Sequence, residues 1–563
     1  MGRRGAWAIV LCACGAPPRG SKTSGDAFLH TDSGGGSTEV DEADTSAERP
    51  CVDPEARARD GAFVAWDRGI DWALQSPAGL PPDAPRARGA GVLVEDLDAD
   101  GLLDVFLTDD AQCQLLWGAS DGQLRDAGPG VLPDGACGAW GVTAADPDAD
   151  GDLDLLLARD GMADAVWRNE GGRFVHAEDA GLGGLACGSR TATWGDMDGD
   201  GDLDVFVARH HVLGRGLDTC PAAPPVAAWS IPGGDPNGLY ENRGDGSFLD
   251  VSDRLGVDGR HGYTFVGGWI DIDADGDLDL YQINDYGSLA VRNVALLNDG
   301  TGHFSPMADA RGLALAGDTM ALAAGDLNAD GAPDLVVPDI DQMHLLLSEG
   351  GGWYDAARAR GLVPNLERGQ RAAWGSELVD VDNDGLLDVV TVFGPTEGVM
   401  LGVDPGELLQ PDAMWMQRGD GSFVDRAAEL GLDGVTNGRG LIVADLDGDG
   451  WVDILKVDYR GGPAQLWRQR CGAAAWLGVD LVGPPGNPRG IGAMVEVEAD
   501  GRIFRRWQMA GAAGLASQGP GTVHIGLGEV ERVDALRVRW PDGRVERRGP
   551  LGVRRTVRVR WDD

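Results

Sequence analysis

A chain of 563 residues, 43% of them hydrophobic, has enough apolar material for more than one domain. Its formal net charge of -44 excludes nucleic acid as a partner, because phosphate recognition needs a basic surface. Its 89 glycines follow no collagen period, so they point to many tight turns and an all-β repeat protein.

The chain opens with a short basic stretch, Met1 to Arg4, and a short apolar run, Ala6 to Ala13. This is the order of a bacterial export signal. The ending Leu11-Cys12-Ala13-Cys14 resembles a lipoprotein signal, in which Cys14 is lipidated after cleavage. Residues 1–14 are therefore expected to export the chain, either as a cell-surface or outer-membrane lipoprotein or as a secreted protein. Residues 15–50 are Gly, Ser, Thr, Asp and Glu with almost no apolar content, which makes a tether rather than a folded element. No later run is long enough to span a bilayer, so a membrane would be met only through the lipid. Six cysteines follow: Cys51, Cys113, Cys137, Cys187, Cys220 and Cys471. An even number in an exported chain points to disulfides, and the lack of Cys-x-x-Cys argues against zinc.

From residue 96 onward the pattern Asp-x-Asp-x-Asp-Gly-x-x-Asp recurs seven times. The metal ligands it proposes are Asp96, Asp98, Asp100, Leu102 and Asp104 in the first copy, and Asp146, Asp148, Asp150, Asp152 and Asp154 in the second. The third supplies Asp196, Asp198, Asp200, Asp202 and Asp204, and the fourth Asp271, Asp273, Asp275, Asp277 and Asp279. The fifth, the weakest, has Asp326, Asn328, Asp330, Ala332 and Asp334. The sixth has Asp380, Asp382, Asp384, Leu386 and Asp388, and the seventh Asp445, Asp447, Asp449, Trp451 and Asp453. Calcium is a hard cation that takes six to eight oxygens at roughly 2.3–2.6 Å. Side chains at positions one, three and five converge on one ion if the backbone curls, and glycine at position six permits the curl. Position seven is chemically indifferent, as expected of a carbonyl ligand, and the carboxylate at position nine closes the shell. An EF-hand would need Glu at position twelve and flanking helices, but Leu107, Leu157 and Val207 stand there within strand-like sequence. Metal-free Asx-turns are the simpler account of any one loop. Seven copies of crowded, mutually repelling carboxylates argue instead for a cation in each, about seven calcium ions in all.

The loops are about 50 to 75 residues apart, the period of propeller blades. Around each lie segments for about four strands, with recurrent aromatics such as Trp194, Trp269 and Trp374 read as packing residues. Seven loops imply seven blades, with an open or eight-bladed array as the alternative. A Phe-to-Gly-Ile segment, Phe63 to Ile70, precedes the first loop, while the last unit lacks its counterpart. A closed ring explains both, with the N-terminal strand completing the last blade and removing an open edge. That closure would bring Cys51 to Cys471; Cys113–Cys137 and Cys187–Cys220 are the other candidate pairs. The propeller is assigned to residues 51–470.

Residues 471–563 read as a small antiparallel β-sandwich or barrel, from alternating stretches such as Val495 to Phe504 and Arg537 to Glu546. This segment carries fourteen Arg against eleven acids, unlike the acidic propeller. Opposite charge would dock the two domains, but ordinary polar strand faces are the favoured account.

The loops resemble the FG-GAP or VCBS repeats of integrin-like propellers. The stretches Trp476 to Val479, Arg489 to Ala493, Leu515 to Gln518, His524 to Gly528 and Val538 to Gly543 resemble the ASPIC/UnbV domain. The pairing of the two is similar to bacterial relatives of cartilage acidic protein. That resemblance implies an extracellular calcium-binding protein and no established reaction.

Two functions follow. The favoured one is a non-catalytic binding or adhesion module for an unidentified extracellular protein or glycan. The alternative is a secreted propeller enzyme acting on polysaccharide or another extracellular substrate. Against catalysis, histidine is scarce at 8, Gly-x-Ser-x-Gly and His-Glu-x-x-His are absent, and most aspartates are committed to metal. No catalytic residue is assigned. Ser517-Gln518 has only His524 nearby, and His210-His211 fits a loop.

Overall fold

Each aspartate loop joins the first and second strands of a sheet. In the computed structural model the described residues are 63–65 and 91–562, apart from short stretches at 110–111, 134–136, 183–185, 211–219, 222–225, 227–229, 308–310, 368–370, 397–408, 433, 460–463, 470–471 and 512–514. Cys14, Cys51 and Cys471 lie outside them, and so does the expected Cys51–Cys471 pair. All described residues belong to one compact unit, Asp44–Asp563.

Among the described residues are seven sheets of the same plan, one per loop. The first runs Gly91–Glu95, Asp104–Thr108, Cys113–Gly118 and Leu124–Asp126; the second Gly141–Ala145, Asp154–Ala158, Ala165–Asn169 and Phe174–His176. The pattern repeats from Ser189–Gly195, Tyr263–Ile270, Ala323–Gly325 and Ala373–Val379. The seventh sheet starts at Gly438–Ala444 and takes its outermost strand, Phe63–Ala65, from the other end of the propeller, with Phe63 opposite Gln469. The expected closure by the N-terminal strand is therefore present.

The strands are nearly continuous apolar runs because both faces of each sheet are covered by its neighbours. Leu155, Leu156 and Leu157 are all fully buried, for example. Seven hydrophobic clusters fill the seven inter-sheet spaces. Phe206, Trp269 and Leu280 join the third sheet to the fourth. Val92, Val94, Ile442 and Leu455 join the first to the seventh and close the ring. The aromatics serve as inter-sheet packing, as read from the sequence: a Cβ on Gly195 would lie 2.7 Å from the Trp269 ring.

Residues beyond 475 form a second layer. A three-stranded sheet (Val523–Gly528, Ala475–Val482, Arg555–Arg560) packs on a four-stranded one (Arg502–Trp507, Met494–Ala499, Ala535–Arg539, Val545–Arg548). Leu477, Val479, Val495, Val497, Ile525 and Trp540 lie between them. The expected sandwich is present but not wholly antiparallel, since Ala475–Val482 and Arg555–Arg560 pair in parallel.

One loop of this sandwich enters the ring. Ser517–Gln518 pairs in parallel with Val92 and Leu93 of the first sheet's innermost strand. The Gln518 amide accepts from the Ala144 N–H at 3.1 Å and the Thr143 hydroxyl, and donates to the Ala144 carbonyl at 3.1 Å. Leu515 and Ala516 pack on Trp140, Phe265, Met320, Ala372 and Trp374, which lie in or just before the innermost strands of four different sheets. The loop plugs the axis. Ser517 Oγ donates to Leu515 O, so Ser517 and Gln518 are structural and form no dyad with His524.

Truncating Leu515 to Ala should cost about 2–5 kcal/mol, the range for a buried leucine whose cavity cannot collapse. Gln518→Ala should cost about 1–3 kcal/mol by stranding the Ala144 N–H. Equilibrium denaturation of each variant checks this, and a change no larger than that of a surface substitution would contradict the plug.

Candidate functional site: the aspartate loops

Within a loop the first carboxylate organises the turn. Asp96 accepts the Asp100 N–H at 3.1 Å and the Gly101 N–H at 2.9 Å. Asp380 does the same for Asp384 at 3.0 Å and Gly385 at 2.8 Å. The fifth-position carboxylate accepts the N–H of position seven, as in Leu102 to Asp100 at 2.8 Å and Trp451 to Asp449 at 3.0 Å. These are Asx-turns. The glycine at position six is left-handed in every copy, from φ 85° at Gly101 to 106° at Gly276.

Position nine does more than close a shell. Asp204 accepts the Met197 N–H at 2.9 Å on one oxygen and the Asn242 N–H at 2.8 Å on the other. Asp279 holds Ile272 and Asn298 in the same way, both at 2.8 Å, and Asp388 holds Val381 and Gln417. One carboxylate thus ties the start of the loop to the end of the third strand. An ionised carboxylate has about four acceptor sites, so two remain for a cation.

Two recurrent devices went unread in the sequence. Position four is also left-handed, at Ala99, Ala149, Ala274, Ala329 and Asn383 as well as at Gly199 and Gly448. Its signal was the small or amide residue in every copy. The second is an amide ending the third strand. Asn169 donates to Leu97 O at 2.7 Å, Asn242 to Pro147 O at 2.9 Å, and Asn298 to Met197 O at 2.6 Å. Gln417 and Gln469 donate to Leu327 O and Val381 O. Each target is the second residue of the preceding sheet's loop, so five of the seven loops are stitched to the sheet that follows. The sequence signal was a hydrophobic residue, any residue, then Asn or Gln.

These turns bring the predicted ligands together. Ligand oxygens of Asp96, Asp98 and Asp104 lie within 4.8 Å of one another, as do those of Asp146, Asp148 and Asp150, of Asp196, Asp198 and Asp204, and of Asp271, Asp273 and Asp279. Burial, reinforced by neighbouring loop carboxylates, pushes Asp154 and Asp204 up to about 8 and Asp104 and Asp279 up to about 7. Asp148 Oδ1, Asp154 Oδ2, Asp198 Oδ1 and Asp271 Oδ1 are buried without a hydrogen-bond partner. Such an all-oxygen set with orphaned buried atoms fits a hard dication. At position seven, Leu102, Ala332 and Leu386 are half-buried, and Trp451 is a buried packing residue against Gly472. The loops follow the innermost strands, so they ring the axis and are not outer hairpins.

The C-terminal sandwich sits on this face. Arg505 Nη1 lies 3.4 Å from Asp326 in the fifth loop, and Arg539 Nη2 lies 3.6 Å from Asp271 in the fourth. Arg502 donates to Asp384 O at 3.2 Å, and Arg489 pairs at 2.7 Å with buried Glu95 beside the first loop. These four arginines are docking groups, which corrects the reading of them as mere polar strand faces; Arg537, Arg544 and Arg548 pair within the sandwich, as that reading expects. Trp476 covers the seventh loop so closely that a Cβ on Gly450 would overlap its ring. His524 faces Asn383 of the sixth loop at 2.7 Å. At the ends of the second strands of the third and fourth sheets, away from the loops, His210 is buried against Asp285 at 3.1 Å. Disulfides join Cys113 to Cys137 and Cys187 to Cys220.

Residues 96–157, 146–207, 271–337 and 380–455 match the FG-GAP-like repeat, so all seven loops lie within matched segments. Residues 483–563 match ASPIC and UnbV. The chain joins FG-GAP-like repeats to an ASPIC and UnbV domain. It is similar to Cartilage acidic protein 1 of Xenopus tropicalis, with 26% identity over 323 residues, 55% of this chain and 38% of that protein. It therefore spans about two fifths of that relative's length. A 60-residue stretch is 43% identical to Cartilage acidic protein 1 of Homo sapiens and covers 10% of this chain and 9% of that one. Among solved structures, a lectin of Agrocybe aegerita is 18% identical, covers 60% of this chain and 79% of its own, and gives a TM-score of 0.37. A six-bladed propeller lectin of Aleuria aurantia is 12% identical, covers 60% and 94%, and scores 0.30.

An aspartate raised in the fold above its unfolded value of roughly 3.9 holds its proton more tightly when folded. That stability is complete below about pH 4 and is lost as the pH rises through about 7 to 8. Chelated FG-GAP repeats should therefore melt at a lower temperature at about pH 8 than at about pH 5, and calcium addition between those values should release protons. Calorimetry in buffers of different ionisation enthalpy measures the release, and no release would contradict protonated loops.

Proposed function

We propose that this chain is an exported, calcium-stabilised binding module, with calcium held in the seven loops of a seven-bladed propeller and the ASPIC and UnbV domain seated on the loop face. The observation that carries this reading is the set of buried loop carboxylate oxygens without a protein partner. The chain's own cations do not supply the missing charge. Arg168 reaches Asp148, and Arg468 reaches Asp447 and Asp449, but thirty aspartates occupy the seven loops. Two disulfides fit folding in an oxidising, extracellular compartment. Attachment through a lipid on Cys14 belongs to the same reading.

Calcium here is structural. The loops anchor carboxylates that tie two strands, and five of the seven are stitched to the next sheet, so an ion acts on the ring and not on a substrate. The role left to the assembled surface is recognition of an extracellular protein or glycan. The fifth loop, with three aspartates and Arg505 on one of them, should hold its ion most weakly.

Native mass spectrometry should count about seven ions, and chelation should lower the melting temperature steeply, since a ligand bound only to the folded state at a thousandfold its Kd adds about 4 kcal/mol per site. An unchanged melting temperature with no bound metal would return the loops to metal-free turns.

A further inference from the structure

A cleft of about 540 Å³ opens between the propeller's loop face and the ASPIC and UnbV domain, within the size range of small-molecule sites. The propeller wall carries Glu377 and Leu378, and the facing wall Arg506, Trp507, Gly478 and Gly519. None of these six is a proposed calcium ligand.

Two of them are unsatisfied. Glu377 is only 9% exposed. Its Oε2 accepts the Val443 N–H at 3.0 Å, and its Oε1 has no partner. Arg506 Nη1 donates to Arg505 O at 2.9 Å, and its Nη2 has no partner. Buried polar groups are rarely left unpaired, because each costs its full desolvation. No ion pair joins Glu377 to Arg506, whose charge faces Asp380, Asp326 and Asp388 instead; both unpartnered atoms lie just beneath the opposite walls, so an occupant must seat tightly between them to reach either. Burial raises the Glu377 carboxyl to about 8, which leaves it able both to donate and to accept at neutral pH.

The remaining walls set the ligand's charge. With one calcium ion in the seventh loop, its four aspartates still leave a net negative charge there, and Asp480 adds to it beside Arg506 and Arg558, so a polyanion such as a nucleotide is disfavoured. Partly exposed Trp507 suits a ring lying flat. The occupant must donate and accept hydrogen bonds at two separated points and carry no net charge.

We propose that this cleft binds a neutral saccharide of one or two rings, its hydroxyls bridging Glu377 and Arg506 across the domain junction. The proposal deepens the reading of the chain as a binding module and rests on it.

The test uses the full calcium-loaded chain, with its ions counted by native mass spectrometry before sugar is added. Saturation-transfer NMR is then run with glucose, galactose, mannose, fucose, xylose, N-acetylglucosamine, maltose and cellobiose. At least one sugar is expected to bind. Glu377→Leu and Arg506→Gln should each weaken it about tenfold, while Glu377→Gln, which keeps a donor and an acceptor, should stay within about threefold. If Glu377→Leu does not fold, the Arg506→Gln variant decides alone. A chain with its ions in place that binds none of the sugars overturns the cleft proposal and leaves the calcium reading standing. Binding that survives the substitutions places the sugar elsewhere and overturns it equally.

Discussion

The ninth-position aspartate is the constraint on which the propeller depends. Its two oxygens hold the loop's second residue and the end of the third strand, as Asp204 holds Met197 and Asn242. The same second residue offers its carbonyl to the amide of the next sheet, as Met197 does to Asn298. A side chain is thus fixed in a place where burial and neighbouring acids oppose its charge. The loops concentrate repulsion at the joints of the ring, and the joints are sound only where that charge is met.

The C-terminal domain is part of the same electrostatic arrangement. Arg505, Arg539 and Arg489 come from three separated segments, yet each meets an acid on or beside a loop. Glu95 is nearly inaccessible, so its pairing with Arg489 matters more than a surface ion pair would. Docking arginines and structural charges therefore share one face of the propeller, with the interdomain cleft opening between them.

Much of this architecture was readable in advance. The aspartate spacing, the glycine at position six and the stray Phe63 segment carried the loop, the turn and the ring closure, because each is a local pattern or a missing piece of a repeat. Cys113–Cys137 and Cys187–Cys220, offered as candidate pairs, are both joined. What escaped were relations between distant residues. Asn242 looks like a turn residue until Pro147 is placed beside it. The arginines looked like polar strand faces because alternation in a strand gives no sign of what stands opposite. Leu515 and Ala516 were noticed as a motif, but their place on the axis depends on four sheets that only the closed ring brings together. Glu377 carried no signal at all, since its isolation is a property of the packed structure.

The ring is completed from both ends of the chain. Phe63–Ala65 supplies the last strand of the seventh sheet, and Ser517–Gln518 lies along the innermost strand of the first. Thr143 and Gln518, which meet at the axis, are 375 positions apart. A ribosome or a translocation pore delivers such a chain in order, so the early sheets must wait, incomplete, for residues that arrive last. Contacts of this range make folding slow and leave edges open to misassociation in the interval. The first sheet is therefore complete only once residues 517 and 518 have been made and have folded back onto it.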